Sequence, residues 1–223
     1  MREEIPAVTR DQMREVDRIM IEDLGIELIQ MMENAGRNLA RLVFDRYQPK
    51  SVLVLAGSGG NGGGGLVAAR HLSNWGVSVS VATTGSSLAP VPAHQAEILR
   101  RMGVNFGEPA SADVVIDAII GYSLVGAPRG VAAHLIDYAN QQSSPVVSLD
   151  APSGVDVDTG DALDRAVGAT VTMTLAAPKV GLVGAVAVGE HLLADISVPP
   201  QVYQRLGLAM PVDTFAAGPL VSL

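Results

Sequence analysis

The chain contains no cysteine. Disulfides, thiolate nucleophiles and cysteine-bound metals are therefore excluded, and the absence agrees with a reducing, cytoplasmic setting. No apolar run reaches the ~18 residues that a membrane-crossing helix needs, so no membrane partner is expected. The start, Met1-Arg-Glu-Glu-Ile5, is charged and has no apolar signal core, and export is not expected. Positive charge is scarce as well. Fifteen Lys and Arg stand against 23 Asp and Glu, a net charge of −8. Nucleic-acid partners depend on a positive surface and are excluded on that ground. An anionic ligand has to be held by local dipoles or by a cation. What is abundant is apolar: 48% of the 223 residues are hydrophobic and 17% charged, enough for a large core in one domain spanning 1–223.

The chain is organised around one stretch. Ser51–Ala56 is a short β-branched apolar run, the pattern of a strand buried on both faces. It stops at Gly57-Ser58-Gly59-Gly60-Asn61-Gly62-Gly63-Gly64-Gly65, and a helical stripe through Leu66, Ala69 and Leu72 follows. Strand, glycine-rich loop and helix present bare N–H groups and a helix N-terminus to an anion. Glycine there lets phosphate oxygens approach the main chain and permits positive φ. The run is not a P-loop, because Gly65 is followed by Leu66. Gly57, Gly59 and Gly62 match G-x-G-x-x-G, but glycine is so dense that the match carries no weight.

Two helices are predicted within residues 9–47. Thr9 caps the first, with Asp11 and Gln12 in its first turn and a stripe of Met13, Val16, Ile19 and Met20. Gly25 breaks it, and the second stripe runs through Leu28, Met31, Met32, Leu39, Val43 and Phe44. Inside it, Gly36 suits close helix packing, and Asn34 is expected to point at a site or an interface. Further strands are predicted at 77–82, 104–106, 113–119, 145–149, 169–175, 183–188 and 191–198. Helices are predicted at 94–102 and 131–141, and residues 205–223 show little pattern. The alternation implies a mostly parallel sheet covered on both faces. In such sheets ligands bind outside the carboxyl ends of the strands. The glycine run, Asp117 with the loop 121–130, Asp150 with Ser153, and Lys179 all fall on that rim, with Asn34 nearby.

Asp117 ends the apolar run Val114-Val115-Ile116. A carboxylate there either caps neighbouring backbone N–H groups or offers a hard oxygen to a cation. Asp150-Ala151-Pro152-Ser153-Gly154 follows a strand in the same way, and Pro152 and Gly154 stiffen and bend the turn. An acid on so rigid a turn suits general acid–base work. Ser153 has no histidine close in sequence, so no nucleophilic triad is expected. Lys179 stands among apolar residues, either at the surface or directed into a cleft. Asp156, Asp158 and Asp161 read as a solvated turn, since they lack the spacing of a calcium loop. His71, His94, His134 and His191 lack ligand spacing and read as structural.

From Thr9 to Val198 the chain resembles the NAD(P)H-hydrate epimerases, the YjeF N-terminal domain family. The resemblance rests on five ordered motifs. They are Thr9-x-x-Gln12-Met13-Arg14 with Met32-Glu33-Asn34-Ala35-Gly36; Gly59-x-Asn61-Gly62-Gly63-x-Gly65 running into Leu66 to Leu72; Asp117 to Gly121 with Pro128-Arg129-Gly130; Asp150 to Asp156; and Ala177-Pro178-Lys179. It implies a Rossmann-like three-layer αβα sandwich with a mostly parallel sheet, a homodimer, and epimerisation of hydrated NADH or NADPH. It also implies a potassium ion held by Asn61, Asp117 and Ser153, with Asp150 and Lys179 as the catalytic pair. Substrate contacts are implied at Gly60, Asn61, Gly62, Gly63 and Gly64, at Gly121, Tyr122, Ser123, Leu124, Val125, Gly126 and Ala127, and at Asp150. The signature departs at two positions, where Gly60 and Gly64 replace an asparagine and an aspartate. The alternative is a non-catalytic nucleotide-binding or interaction module of the same fold.

Overall fold

Strands made almost wholly of Val, Ile, Leu and Ala have no polar face to give to water, so both faces must be covered. The computed structural model, which describes residues 5–223, covers them in that way; the first four residues of the charged start lie outside it. An N-terminal helix α1 (Arg10–Arg18) runs into a π-helical turn, Ile19–Asp23, and α2 (Leu28–Tyr47) follows. Then come β1 (Ser51–Ala56), α3 (Gly60–Asn74), β2 (Ser78–Thr83), α4 (Pro90–Arg101), β3 (Asn105–Phe106) and β4 (Val114–Ala118). The second half holds α5 (Gly130–Gln141), β5 (Val146–Leu149), β6 (Val171–Leu175), β7 (Glu190–Ala194), α6 (Pro200–Arg205) and β8 (Leu220–Ser222).

The strands form one sheet in the order β3-β2-β1-β4-β5-β6-β7-β8, parallel except for β8, which runs antiparallel to β7. Residues of α2, α3 and α4 pack on Val52, Val54 and Ile116. The opposite face, Leu53, Leu55 and Val115, packs on Leu135, Ile136 and Ala139 of α5. Alternating residues of one strand thus serve two separate cores, which is the three-layer sandwich expected. Strand order reverses between β1 and β4, and that switch point opens a crevice at the strands' carboxyl ends. Among the described residues, no helix is long and apolar enough to cross a membrane.

The glycine run is not a loop. Helix α3 starts at Gly60, so most of the run forms its first turns. None of these glycines takes positive φ. Close approach explains them. A Cβ on Gly57 would sit 1.8 Å from the Ile119 carbonyl oxygen, one on Gly62 1.9 Å from the Gly57 oxygen, and one on Gly65 2.5 Å from the Ala118 Cβ. Gly36 meets the packing expectation, since a Cβ there would lie 2.4 Å from that of Val67 on α3.

Three segments depart most from expectation. Instead of a strand, residues 183–188 belong to a segment of short 3-10 turns, Val180–Leu182 and Val186–Val188, with Gly184 and Gly189 at φ 74° and 62°. Left-handed residues cannot continue a strand. β7 stops at Ala194, not 198, because Ser197 turns to φ 71° ahead of Pro199 and Pro200. The pattern-poor tail still supplies β8, whose partner is the edge of β7.

Candidate active site

Asp150 stands where β5 ends, at φ 68°. Aspartate is one of the few residues that tolerate this region. Its N–H donates to the Met173 carbonyl at 2.8 Å, tying the turn to β6. One carboxylate oxygen, Oδ2, accepts from the Tyr122 N–H at 2.8 Å; the other pairs with the Lys179 ammonium. Lys179 is fully buried and uses all three N–H groups, on Asp150 Oδ1, Thr174 Oγ1 (3.0 Å) and the Leu175 carbonyl (2.9 Å). Its segment is held by Val8, whose N–H donates to the Pro178 carbonyl and whose carbonyl accepts from Val180. Of the two readings of Lys179, the cleft-directed one describes what is found.

Asp117 is also fully buried, and both of its oxygens accept hydrogen bonds. Oδ2 accepts from Ser148 Oγ (2.8 Å) and the Ser153 N–H (2.9 Å); Oδ1 accepts from Ser153 Oγ (2.5 Å) and the Ile119 N–H (3.2 Å). Burial pushes its carboxyl above the ordinary aspartate value, against the pull of those bonds. Ser153 Oγ in turn accepts from the Ile120 N–H at 2.8 Å. Asp117 therefore caps and locks the turn after β5. Asn61, in the first turn of α3, reaches the same region: a Cβ on Gly121 would lie 3.1 Å from its Oδ1 and 2.8 Å from Asp150 Oδ2. The Asn61 Nδ2 is buried without a partner. The orphaned nitrogen cannot ligate a cation, but the Asn61 amide oxygen, the Ser153 hydroxyl and the Asp117 carboxylate are oxygen donors of low total charge, and such a set would suit a large monovalent cation. Among the described residues, no group of three or more His, Asp or Glu side chains is placed to hold a metal.

A cleft of ≈ 310 Å³ opens over Asp150. One wall is apolar, made by Met13 and Ile21 from α1 and its π turn and by Leu28, Met31 and Met32 from α2. The other is polar, made by Gly60, Asn61, Gly64, Gly121, Tyr122 and Ser123. Of the remaining substrate contacts implied by resemblance, Gly62 and Gly63 are packed away against Gly57, Met32 and Pro92. Leu124 is buried, Val125 is 78% exposed, and neither they nor Gly126 and Ala127 line the cleft. Asn34 does not join this rim. It faces a shallow groove with Glu33, Arg70, His94 and Gln95 on the helical surface.

Several contributors were not expected. Asp17 lines the cleft and accepts from the Tyr122 hydroxyl at 2.5 Å. Burial raises the Asp17 carboxyl, and burial together with the Asp17 charge pushes the Tyr122 phenol well up. A signal existed, because Asp17 is four residues beyond Met13 and shares its helix face. Asp156 and Asp158 are not a solvated turn. They bind Arg10, whose guanidinium lies 2.6 Å from Asp156 Oδ2 and whose N–H lies 2.7 Å from Asp158 Oδ1; its Nε donates to the Tyr122 carbonyl. This clamp fixes the start of α1, and with it the wall that carries Asp17. His191 is half-buried in β7, and desolvation with the nearby Lys179 charge holds it down to about 4.

The family model of YjeF-related protein N-terminus matches residues 28–181. A protein named NAD(P)H-hydrate epimerase from Dehalogenimonas lykanthroporepellens is 46% identical across 98% of this chain and 93% of its own length. Its namesake from Rhodopirellula baltica is 33% identical across 92% and 90%. The bifunctional NAD(P)H-hydrate repair enzyme Nnr of Salinibacter ruber is 36% identical across 90% of this chain, which spans only 42% of that longer protein. The crystal structure of yeast YNL200c shares the fold, with a TM-score of 0.86 at 24% identity over 98% of this chain and 100% of that one. The chain belongs to the family of YjeF-related N-terminal domains.

Proposed function

We propose that the protein is an isomerase that interconverts the R and S epimers of hydrated NADH and NADPH. The observation that carries this reading is the buried Asp150–Lys179 pair at the floor of a cleft, beside the uncapped N-terminus of α3. The names of the full-length relatives support it.

The hydrate bears its hydroxyl on a ring carbon next to nitrogen. Proton transfer to that oxygen lets the C–O bond break, with the bonding pair leaving on water. The nitrogen lone pair then closes a C=N bond, and an iminium cation results. Water adds back to either face and gives up a proton, so nothing is consumed. Asp150, anchored by Lys179 and the Tyr122 N–H, exchanges the proton and offsets the cation. The methionine-rich wall covers the ring and limits access of bulk water.

The N–H groups of Gly60 and Asn61, both in the cleft wall, precede the first intrahelical bond of α3, Gly63 to Gly59 at 3.1 Å, and no side chain caps them. They suit the phosphates. Asn61, Asp117 and Ser153 would hold a potassium ion, which when bound fixes the rim turns and offsets phosphate charge. The active unit is a homodimer, as family membership suggests.

The test starts from one separated epimer. Conversion faster than in buffer alone is expected with the purified protein. Conversion at the buffer rate, with nucleotide still bound, would instead favour a non-catalytic module, a reading motivated by the side-chain-free Gly60 and Gly64 in the cleft wall.

A further inference from the structure

A planar ring held in one pose turns one face to each wall of its cleft. Inversion at a single carbon requires the hydroxyl to leave from one face and water to return on the other. Each event moves a proton, so a proton-transfer group is needed on both sides. The Asp150–Lys179 pair serves the side at the sheet end. Across the cleft, α1 places a second carboxyl group, Asp17, within the otherwise apolar wall of Met13 and Ile21.

Tyr122 spans the two acids. Its N–H donates to Asp150 Oδ2 at 2.8 Å and its hydroxyl to Asp17 Oδ2 at 2.5 Å. The carboxyl groups are therefore held about one tyrosine's length apart, with the cleft between them. Their engagement differs. Both oxygens of Asp150 are taken, by the Lys179 ammonium and the Tyr122 N–H. Only Oδ2 of Asp17 is bonded among the described residues, and Oδ1 is left for a ligand.

We propose that Asp17 is the second proton-transfer residue of the cleft, acting on the ring face opposite Asp150; this rests on the epimerase reading above. Asp17 gives its carboxyl proton to the departing hydroxyl, the C–O pair leaves with water, and the ring nitrogen lone pair forms the iminium. A water on the other face then bonds to carbon, the C=N π pair returns to nitrogen, and the surplus proton passes to the Asp150–Lys179 pair. The reverse direction exchanges the two roles. Burial favours the protonated form of Asp17, as its part requires. The charged and titratable groups around it are Tyr122, Asp150 and Lys179, with Arg14 near the tyrosine.

The test compares wild type with Asp17→Asn and Asp17→Glu, starting from each epimer in ¹⁸O-labelled water. With Asp17→Asn, kcat for inversion is expected to fall about 100-fold or more, while NADPH affinity stays within about threefold. One epimer should still exchange its oxygen with solvent without inverting, because its hydroxyl faces Asp150, and the other should be inert. Asp17→Glu should recover part of the inversion. Inversion by Asp17→Asn at the wild-type rate overturns the proposal. So does loss of nucleotide binding, or loss of oxygen exchange from both epimers, since either marks a merely structural residue. A wild type that inverts neither epimer overturns the epimerase reading itself and this proposal with it.

Discussion

Lys179→Met isolates the energetic role of the buried pair, because it keeps an unbranched apolar stem out to the ε position and removes the ammonium. The two side chains are 0% and 5% exposed, so water cannot take over for the missing charge. Removing one partner of such a pair leaves the other uncompensated, a loss of about 3–5 kcal/mol. The other bonds of Lys179 add little. The Leu175 carbonyl keeps the Ala177 N–H at 2.7 Å, and the Thr174 hydroxyl can rotate. The ion-pair term therefore dominates. For a chain of this size each kcal/mol moves the melting midpoint by about 2–4 °C, so a drop of roughly 6–20 °C is expected. Urea unfolding with a double-mutant cycle supplies the check. Asp150→Asn alone strands the ammonium and should lose a similar amount, whereas Lys179→Met with Asp150→Asn should recover much of the loss. A single-variant loss under about 1 kcal/mol, or a double variant less stable than Lys179→Met, would refute the argument.

The glycine run should respond position by position. Gly62→Ala forces a Cβ to 1.9 Å from a backbone oxygen and should lose about 3 kcal/mol in urea, whereas Gly60→Asn meets nothing within 4 Å and should stay within about 0.5 kcal/mol; equal effects would count against the packing account. Because His191 is held at about 4 against its ordinary 6.5, the unfolded chain binds a proton that the fold refuses between those values. Its share of stability is therefore lost as pH falls from 6.5 to 4. Asp17, raised by burial, works in the opposite direction, so the informative quantity is the difference from His191→Gln, which should flatten the decline; identical slopes would dismiss it. For the proposed potassium ion, the melting temperature should be higher in potassium than in a bulky organic cation at matched ionic strength. Asn61→Ala should erase that difference without lowering stability in the organic cation, because the buried Asn61 Nδ2 has no partner to lose.

The fold was legible because its signals are local. A β-branched run ending in glycine, followed by a stripe at helical spacing, yields β1 and α3 whatever else the chain does. Asp117 and Asp150 stood out for the same reason, as acids that interrupt apolar runs at strand ends. What stayed hidden depends on contacts distant in sequence. Phosphate approach and positive φ looked like the reasons for the glycines; none of the run takes positive φ, and at 57, 62 and 65 the cause is the close approach of residues 119, 57 and 118, set by pairing of β1 with β4. Asp156 looked solvated because Arg10 is 146 positions away. The 183–188 run had strand composition, but Gly184 and Gly189 adopt left-handed angles that end it. Asp17 was readable in principle, as an acid on the stripe of Met13, but one acid per helix face is too common to stand out without knowledge of what the face borders.

The scarcity of positive charge returns as a constraint on the site. Among the described residues the cleft wall carries Asp17 and Asp150 and no Lys or Arg. The cation closest to the chemistry, Lys179, has spent its three N–H groups inside the protein. It neutralises Asp150 and leaves nothing to meet a phosphate. An anionic dinucleotide must then be met by backbone dipoles, and the N-terminus of α3 is the set that the cleft offers. Gly57, Gly62 and Gly65 let that helix sit tightly against β1 and β4, which brings its bare end to the switch point. The glycine run thus divides its work by position. The missing Cβ atoms of residues 57, 62 and 65 allow close packing, and the side-chain-free Gly59 and Gly60, with open space around them, leave the helix end accessible to a ligand.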